Sequence, residues 1–136
     1  MNIIDKLLKL DAGKIEMPKK VVTLKLGKLG IELDFPCIAI SPEKYSEIQE
    51  SSIEMKKGDI KKINMHRTKV MTVIEGCPEV FKSKDVMEHF SCPTPKELVN
   101  KLLLSGEIDD LYNTIVVLNG YEKDEDDDDE ENDIKN

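Results

Sequence analysis

Apolar residues at the start of the chain recur three and four positions apart. Ile3, Ile4, Leu7 and Leu8 share one face, Asn2 stands where an N-cap belongs, and Gly13 lies just past the end. This predicts a short amphipathic helix whose apolar stripe needs a partner. After "KIEMPKK" the period falls to two. Val22, Leu24 and Leu26 alternate with polar residues, and so do Ile31, Leu33 and Phe35. Gly27 and Gly30 bracket Lys28-Leu29 between these runs, which predicts a β-hairpin. Pro36 interrupts the second strand and assigns it to an edge or a bulge, because proline has no N–H to give to a central ladder.

From Ser41 onward the period is helical. Ser41 caps, Pro42 takes the first helical position, and Tyr45, Ile48 and Ser52 follow on one side of "SPEKYSEIQESSIEM". Residues 56–62 read as a polar connector broken at Gly58. "NMHRTKVMTVIEG" sets Arg67, Val70, Met71 and Ile74 at helical spacing between Asn64 and Gly76, and "SKDVMEHF" is a short helix behind Ser83. The strongest start signal is "TPKELVNKLLLSG": Thr94 caps, Pro95 fills the first turn, and Glu97 can reach back to complete a capping box. Gly106 is placed at its end. "EIDDLYNTIVVLNG" follows at once, with Ile108, Leu111, Tyr112, Ile115 and Leu118 on one side, so residues 95–119 are expected to form a helical hairpin. The fold class predicted is α+β: an N-terminal helix, a β-hairpin, a C-terminal helical bundle, and then a disordered acidic tail.

Charge separates the tail from the body. Ten of the last fifteen residues are acidic, among them Asp124, Glu125, Asp126, Asp127, Asp128, Asp129, Glu130 and Glu131. Removing these ten, and Lys123 and Lys135, from totals of 28 acids and 20 bases leaves 18 of each. The body is formally neutral, and the net charge of −8 belongs to the tail. A like-charged run with one isoleucine cannot bury enough surface to offset its ordering entropy. The expected division is therefore one globular domain over 1–121 and a disordered tail over 122–136. The tail would act as a solubiliser by repulsion or as bait for a basic partner, the first being preferred.

Several classes of function fall away. Scattered lysines without a basic stripe, next to a polyanion, argue against nucleic-acid binding. No apolar run approaches the roughly 18 residues that span a bilayer, and the N-terminus lacks signal-peptide grammar. Three cysteines at scattered positions (Cys37, Cys77 and Cys92) fit a reducing interior, which places the chain in the cytoplasm. Catalytic machinery is thin: His66 and His89 are the only histidines, and neither they nor the cysteines show metal-ligand spacing. His89 and Cys92 could form a thiol–imidazole pair, but they straddle a helix end with no third orienting group. "DEDDDDEE" lacks the turn glycine and backbone ligands of a calcium loop. No cofactor, metal or catalytic residue is expected.

The helical hairpin carries more apolar side chains than one buried face requires. Either it lies deep in the core or it keeps apolar surface for another protein. Leu102, Leu103, Ile108, Leu111, Tyr112 and Ile115 are the best candidates for both roles.

Four stretches carry a family resemblance: "DKLLKLDA", "TVIEG", "PTPKELVNKLLLSGEIDDLYNTI" and the closing "LNGY". In that order they resemble the XkdN-like tail assembly chaperones of long-tailed phages and defective prophages, with the acidic tail outside the matched motifs. The resemblance implies a non-enzymatic assembly factor. It would bind the tape-measure protein, keep it soluble, help bring tail-tube subunits to it, and leave as the tube polymerises. It would act in the host cytoplasm, as a monomer or in weak self-association, and be absent from the mature tail. The competing reading is an inhibitor or nucleic-acid mimic that works through its polyanionic tail.

Overall fold

A computed structural model of the chain describes residues 2–56 and 59–122. It is α+β, as expected: an N-terminal helix, an antiparallel hairpin, and then a predominantly helical body. Helix α1 (Ile3–Leu8) starts at Asn2, whose side chain accepts from the Asp5 N–H at 2.9 Å. Strands β1 (Lys19–Leu26) and β2 (Ile31–Ile38) pair antiparallel, with Val22 opposite Phe35 and Leu24 opposite Leu33. Their turn closes through the Gly30 N–H on the Leu26 carbonyl at 2.8 Å, with Gly30 at φ +71°. Two strands have only edges, so Pro36 costs the ladder nothing that a neighbouring strand would need.

Helix α2 (Pro42–Ser51) begins as predicted, with Ser41 accepting from the Lys44 N–H. It ends earlier than its helical pattern suggested. The buried Ser52 hydroxyl donates to the Ile48 carbonyl at 2.8 Å, and the chain then turns into β3 (Ile53–Lys56) and β4 (Asp59–Ile63). This second antiparallel hairpin replaces the expected polar connector over 56–62. The lysines in that segment hid the strands from a hydrophobicity pattern, and the closure at the hairpin's base, from the Asn64 N–H to the Ser52 carbonyl at 2.7 Å, is a contact no local pattern reveals.

Helix α3 (Met65–Gly76) is capped by Asn64, which accepts from the Arg67 N–H, and runs through the centre of the body. Its buried Thr72 hydroxyl donates to the Thr68 carbonyl at 2.7 Å, so a polar atom sits in the core without an orphaned proton. Two short helices follow: α4 (Pro78–Phe81), which the sequence reading missed, and α5 (Lys84–His89) behind its Ser83 cap. The last pair is α6 (Pro95–Leu102), capped by Thr94, and α7 (Ser105–Leu118). Gly106 does not end α6; it lies inside α7, and the break falls at Leu103-Leu104. The residues around the break put Leu103 inward, while Leu104 remains exposed.

The core forms where α3, α6 and α7 meet the inner face of the first hairpin. Phe35 and Phe81 stack at 6.0 Å, and Leu26, Val70, Val73, Leu98, Val99, Leu111 and Ile115 close around them. Burying each such aliphatic side chain contributes about 1.5–3 kcal/mol, so this junction is what holds the helices to the sheet.

Candidate functional site

Five of the six apolar residues singled out on the helical hairpin lie in the core. Leu102, Leu103, Ile108, Leu111 and Ile115 are buried against α3 and the β1–β2 face, because the two helices turn their common stripe inward. Only Tyr112 reaches the surface, half-buried, with the Lys69 ammonium 6.0 Å from its ring centroid. In this conformation these residues are packing, and presenting them to another chain would require the hairpin to open. The acidic residues Asp124, Glu125, Asp126, Asp127, Asp128, Asp129, Glu130 and Glu131, and the expected disorder of their segment, lie outside the described residues.

The polar candidates do not converge. His66 is exposed on α3. His89 packs edge-on against Phe90, while the buried Cys92 thiol lies 3.5 Å from the Phe90 carbonyl, so the imagined thiol–imidazole pair is not made. Cys37 and Cys77 are buried neighbours and free thiols. The adjacent Cys37 thiol and burial together hold the Cys77 thiol far above the usual range, which keeps it protonated and poorly nucleophilic. Among the described residues no group of three or more His, Cys, Asp or Glu side chains could hold a metal ion. No described helix is long and apolar enough to cross a membrane.

The surface feature that sequence spacing did foresee is α1 and its unmet need for a partner. Ile3, Ile4, Leu7 and Leu8 are 70%, 58%, 55% and 78% exposed, and every residue from 2 to 21 is on the surface. The arm continues with exposed Leu10, Ile15 and Met17. Its local geometry is closed by its own backbone and caps: the Leu10 N–H bonds the Leu7 carbonyl, and Asp11 accepts from the Gly13 N–H at 2.9 Å. A helix this short is marginal in water unless its apolar stripe is covered.

Where the arm joins the body there is an open groove of about 460 Å³. Met17 and Pro18 form one edge, Ile40, Pro42 and Tyr45 the second, and Leu118 and Tyr121 the third. Tyr45 and Tyr121 stack at 5.6 Å. Asn119 ties the walls together: its side-chain oxygen accepts from the Ile40 N–H at 2.9 Å, and its amide donates to the Ile115 carbonyl at 2.7 Å. Burial, then the neighbouring Tyr112 and Tyr121 phenols, raise the Tyr45 phenol above its ordinary value. A second, smaller cleft of about 310 Å³ lies over Lys19, Val21, Pro36 and Pro78. Sequence reasoning missed both clefts, since their walls come from segments far apart in the chain.

Comparison with known proteins agrees with this architecture. The family described as "Phage XkdN-like tail assembly chaperone protein" matches residues 4–135, a span that takes in the acidic run that the motif resemblance left out. A crystal structure of the protein YqbN is similar with a TM-score of 0.56, at 18% identity, covering 82% of this chain and 93% of that one. At that identity the likeness concerns the fold alone. No curated protein matches the chain significantly.

Proposed function

Because the chain belongs to the XkdN-like family of phage tail assembly chaperones, we propose that it acts by binding the tape-measure protein and keeping it soluble. On this reading it also helps tail-tube subunits reach that protein, leaves as the tube polymerises, and works in the host cytoplasm without entering the mature tail. The observation that carries the reading is α1: four aliphatic side chains on one face, all exposed, at the end of an arm of surface residues. Apolar faces of this kind bind amphipathic helical clients by mutual burial. A few side chains per site also give contacts weak enough to be displaced later. The acidic run serves as a solubiliser of the complex, keeping loaded copies apart by repulsion.

Co-expression with a tape-measure fragment tests this. The wild-type chain should raise the fragment's soluble yield severalfold, and the double variant Leu7→Ser, Leu8→Ser should lose most of that gain while retaining its circular dichroism spectrum. Removing residues 122–136 should lower the yield without abolishing binding. If instead the tail deletion removes all activity and the α1 variant behaves as wild type, the molecule works as a polyanionic decoy.

A further inference from the structure

Two of the three thiols meet in the core, and one of them borders a cleft. We propose that Cys37 and Cys77 form an oxidation site: hydrogen peroxide entering the cleft over Pro36 and Pro78 converts them to a disulfide that ties the first hairpin to the joint between α3 and α4.

The fold itself brings the pair together. Phe35 and Cys37 stand two apart on β2 and are both buried, so they share the strand's inner face. Cys77 lies between α3 and α4, and Phe81 follows about one helical turn later. The Phe35 and Phe81 rings stack at 6.0 Å, which sets β2 against α4, and beside them the Cys37 and Cys77 thiols interact. The backbone of Cys77 is held on both sides: its N–H donates to the Val73 carbonyl at 2.9 Å, and its carbonyl accepts from the Phe81 N–H at 3.2 Å.

Access distinguishes the two sulfurs. Cys37 lines the smaller cleft, of about 310 Å³, with Lys20, Pro36, Pro78 and Glu79, whereas Cys77 is fully buried and is not part of that lining. Hydrogen peroxide is little larger than a water, whose share of liquid volume is about 30 Å³, so the cleft admits it. The adjacent Cys77 thiol, working against burial, lowers the Cys37 thiol below its ordinary value, while Cys77 is raised. Cys37 is therefore the sulfur that reacts first. It attacks one peroxide oxygen, the O–O bond breaks, and a Cys37 sulfenic acid and one water result. The Cys77 sulfur then attacks the Cys37 sulfur. The S–S bond forms, the S–O bond breaks, and the leaving hydroxide takes the Cys77 proton as a second water. Each thiol gives up one electron and the peroxide gains both. Proximity offsets the poor nucleophilicity of Cys77, and converting Cys37 removes a charge that had helped to keep Cys77 protonated.

The inference is independent of what the chain binds. Its test treats the full chain with hydrogen peroxide while folded, then quenches, unfolds, alkylates and maps the cysteines by peptide mass. Wild type should show Cys37 linked to Cys77 within one chain, formed roughly tenfold or more faster than Cys92 is oxidised. The oxidised form should unfold at higher denaturant, because residues 37 to 77 become a closed loop, and dithiothreitol should reverse the shift. In a folded Cys77→Ala variant, dimedone should label Cys37 as the stranded sulfenic acid. The wild-type map decides by itself if that variant does not fold. Links through Cys92, links only between chains, an unlabelled Cys37 in the folded variant, or thiols that react only after unfolding would each overturn the proposal.

Discussion

At the scale of single residues, two positions show how tightly the body is set. Gly76 is the last residue of α3, and a Cβ placed there would lie 2.5–2.7 Å from three side-chain atoms of Ile115. Ile115 is fully buried and β-branched, so it cannot swing away. Gly76→Ala should therefore destabilise the fold by about 1–3 kcal/mol, the range for overpacking a filled core. The Ile115→Val change, which removes the nearest methyl, should make the pair of substitutions less costly than their sum. Chemical denaturation of the two singles and the double measures this directly; strict additivity would mean the contact is not tight. Tyr45 is the second position. Its phenol is raised in the folded chain, first by burial and then by Tyr112 and Tyr121, so folding favours the neutral form. That contribution is fully present below the unfolded value near pH 10 and is lost as pH rises through the higher folded value. Wild-type denaturation midpoints should fall across that alkaline window, and Tyr45→Phe should remove part of the slope. Identical slopes would show that the phenol titrates alike in both states.

Among elements, the junction that matters most is where the β1–β2 turn meets the start of α7. Glu107 spans it. One carboxylate oxygen accepts from the Leu104 N–H at 2.8 Å, satisfying the helix N-cap, and the other accepts from the Gly27 N–H at 2.9 Å, eighty residues away in sequence. Lys28 adds a bond from its ammonium to the Asn100 carbonyl at 2.8 Å. A Cβ at Gly27 would fall 2.6 Å from Leu104 Cδ1, so the tip of that exposed side chain would have to turn aside. Glu107→Ala removes both charge-assisted bonds and should cost about 2–3 kcal/mol, whereas Glu107→Gln keeps one acceptor and should cost less. Hydrogen exchange at Gly27 and Leu104 should quicken in the alanine variant. Unchanged protection there would mean that the hairpin is held by core packing alone. The glutamate reach-back that the sequence promised at Glu97 is made at Glu107, since both stand three residues after an N-cap position and the pattern cannot say which one meets a second element.

For the whole molecule, local signals carried far. Asn2, Ser41, Asn64, Ser83 and Thr94 all cap the helices their side chains announced, because capping is decided within four residues of chain. The first hairpin was legible for the same reason: its period of two and its turn glycines are contiguous. The second hairpin was not, because its strands carry lysines where a pattern search expects apolar residues and their pairing begins with a bond across residues 52 and 64. Core and contact surface were the least legible of all. Leu102, Leu103, Ile108, Leu111 and Ile115 have the same chemistry as Ile3, Ile4, Leu7 and Leu8; one set is buried and the other exposed. Spacing and capping are properties of neighbours along the chain, and by themselves they determined the first hairpin and the starts of α1, α2, α3, α5 and α6, while charge counting set the acidic end apart from a neutral body. Which greasy stripe is covered depends on what folds over it from elsewhere. Only the tertiary structure could decide that α6 and α7 spend their apolar face on the core while α1 keeps its own.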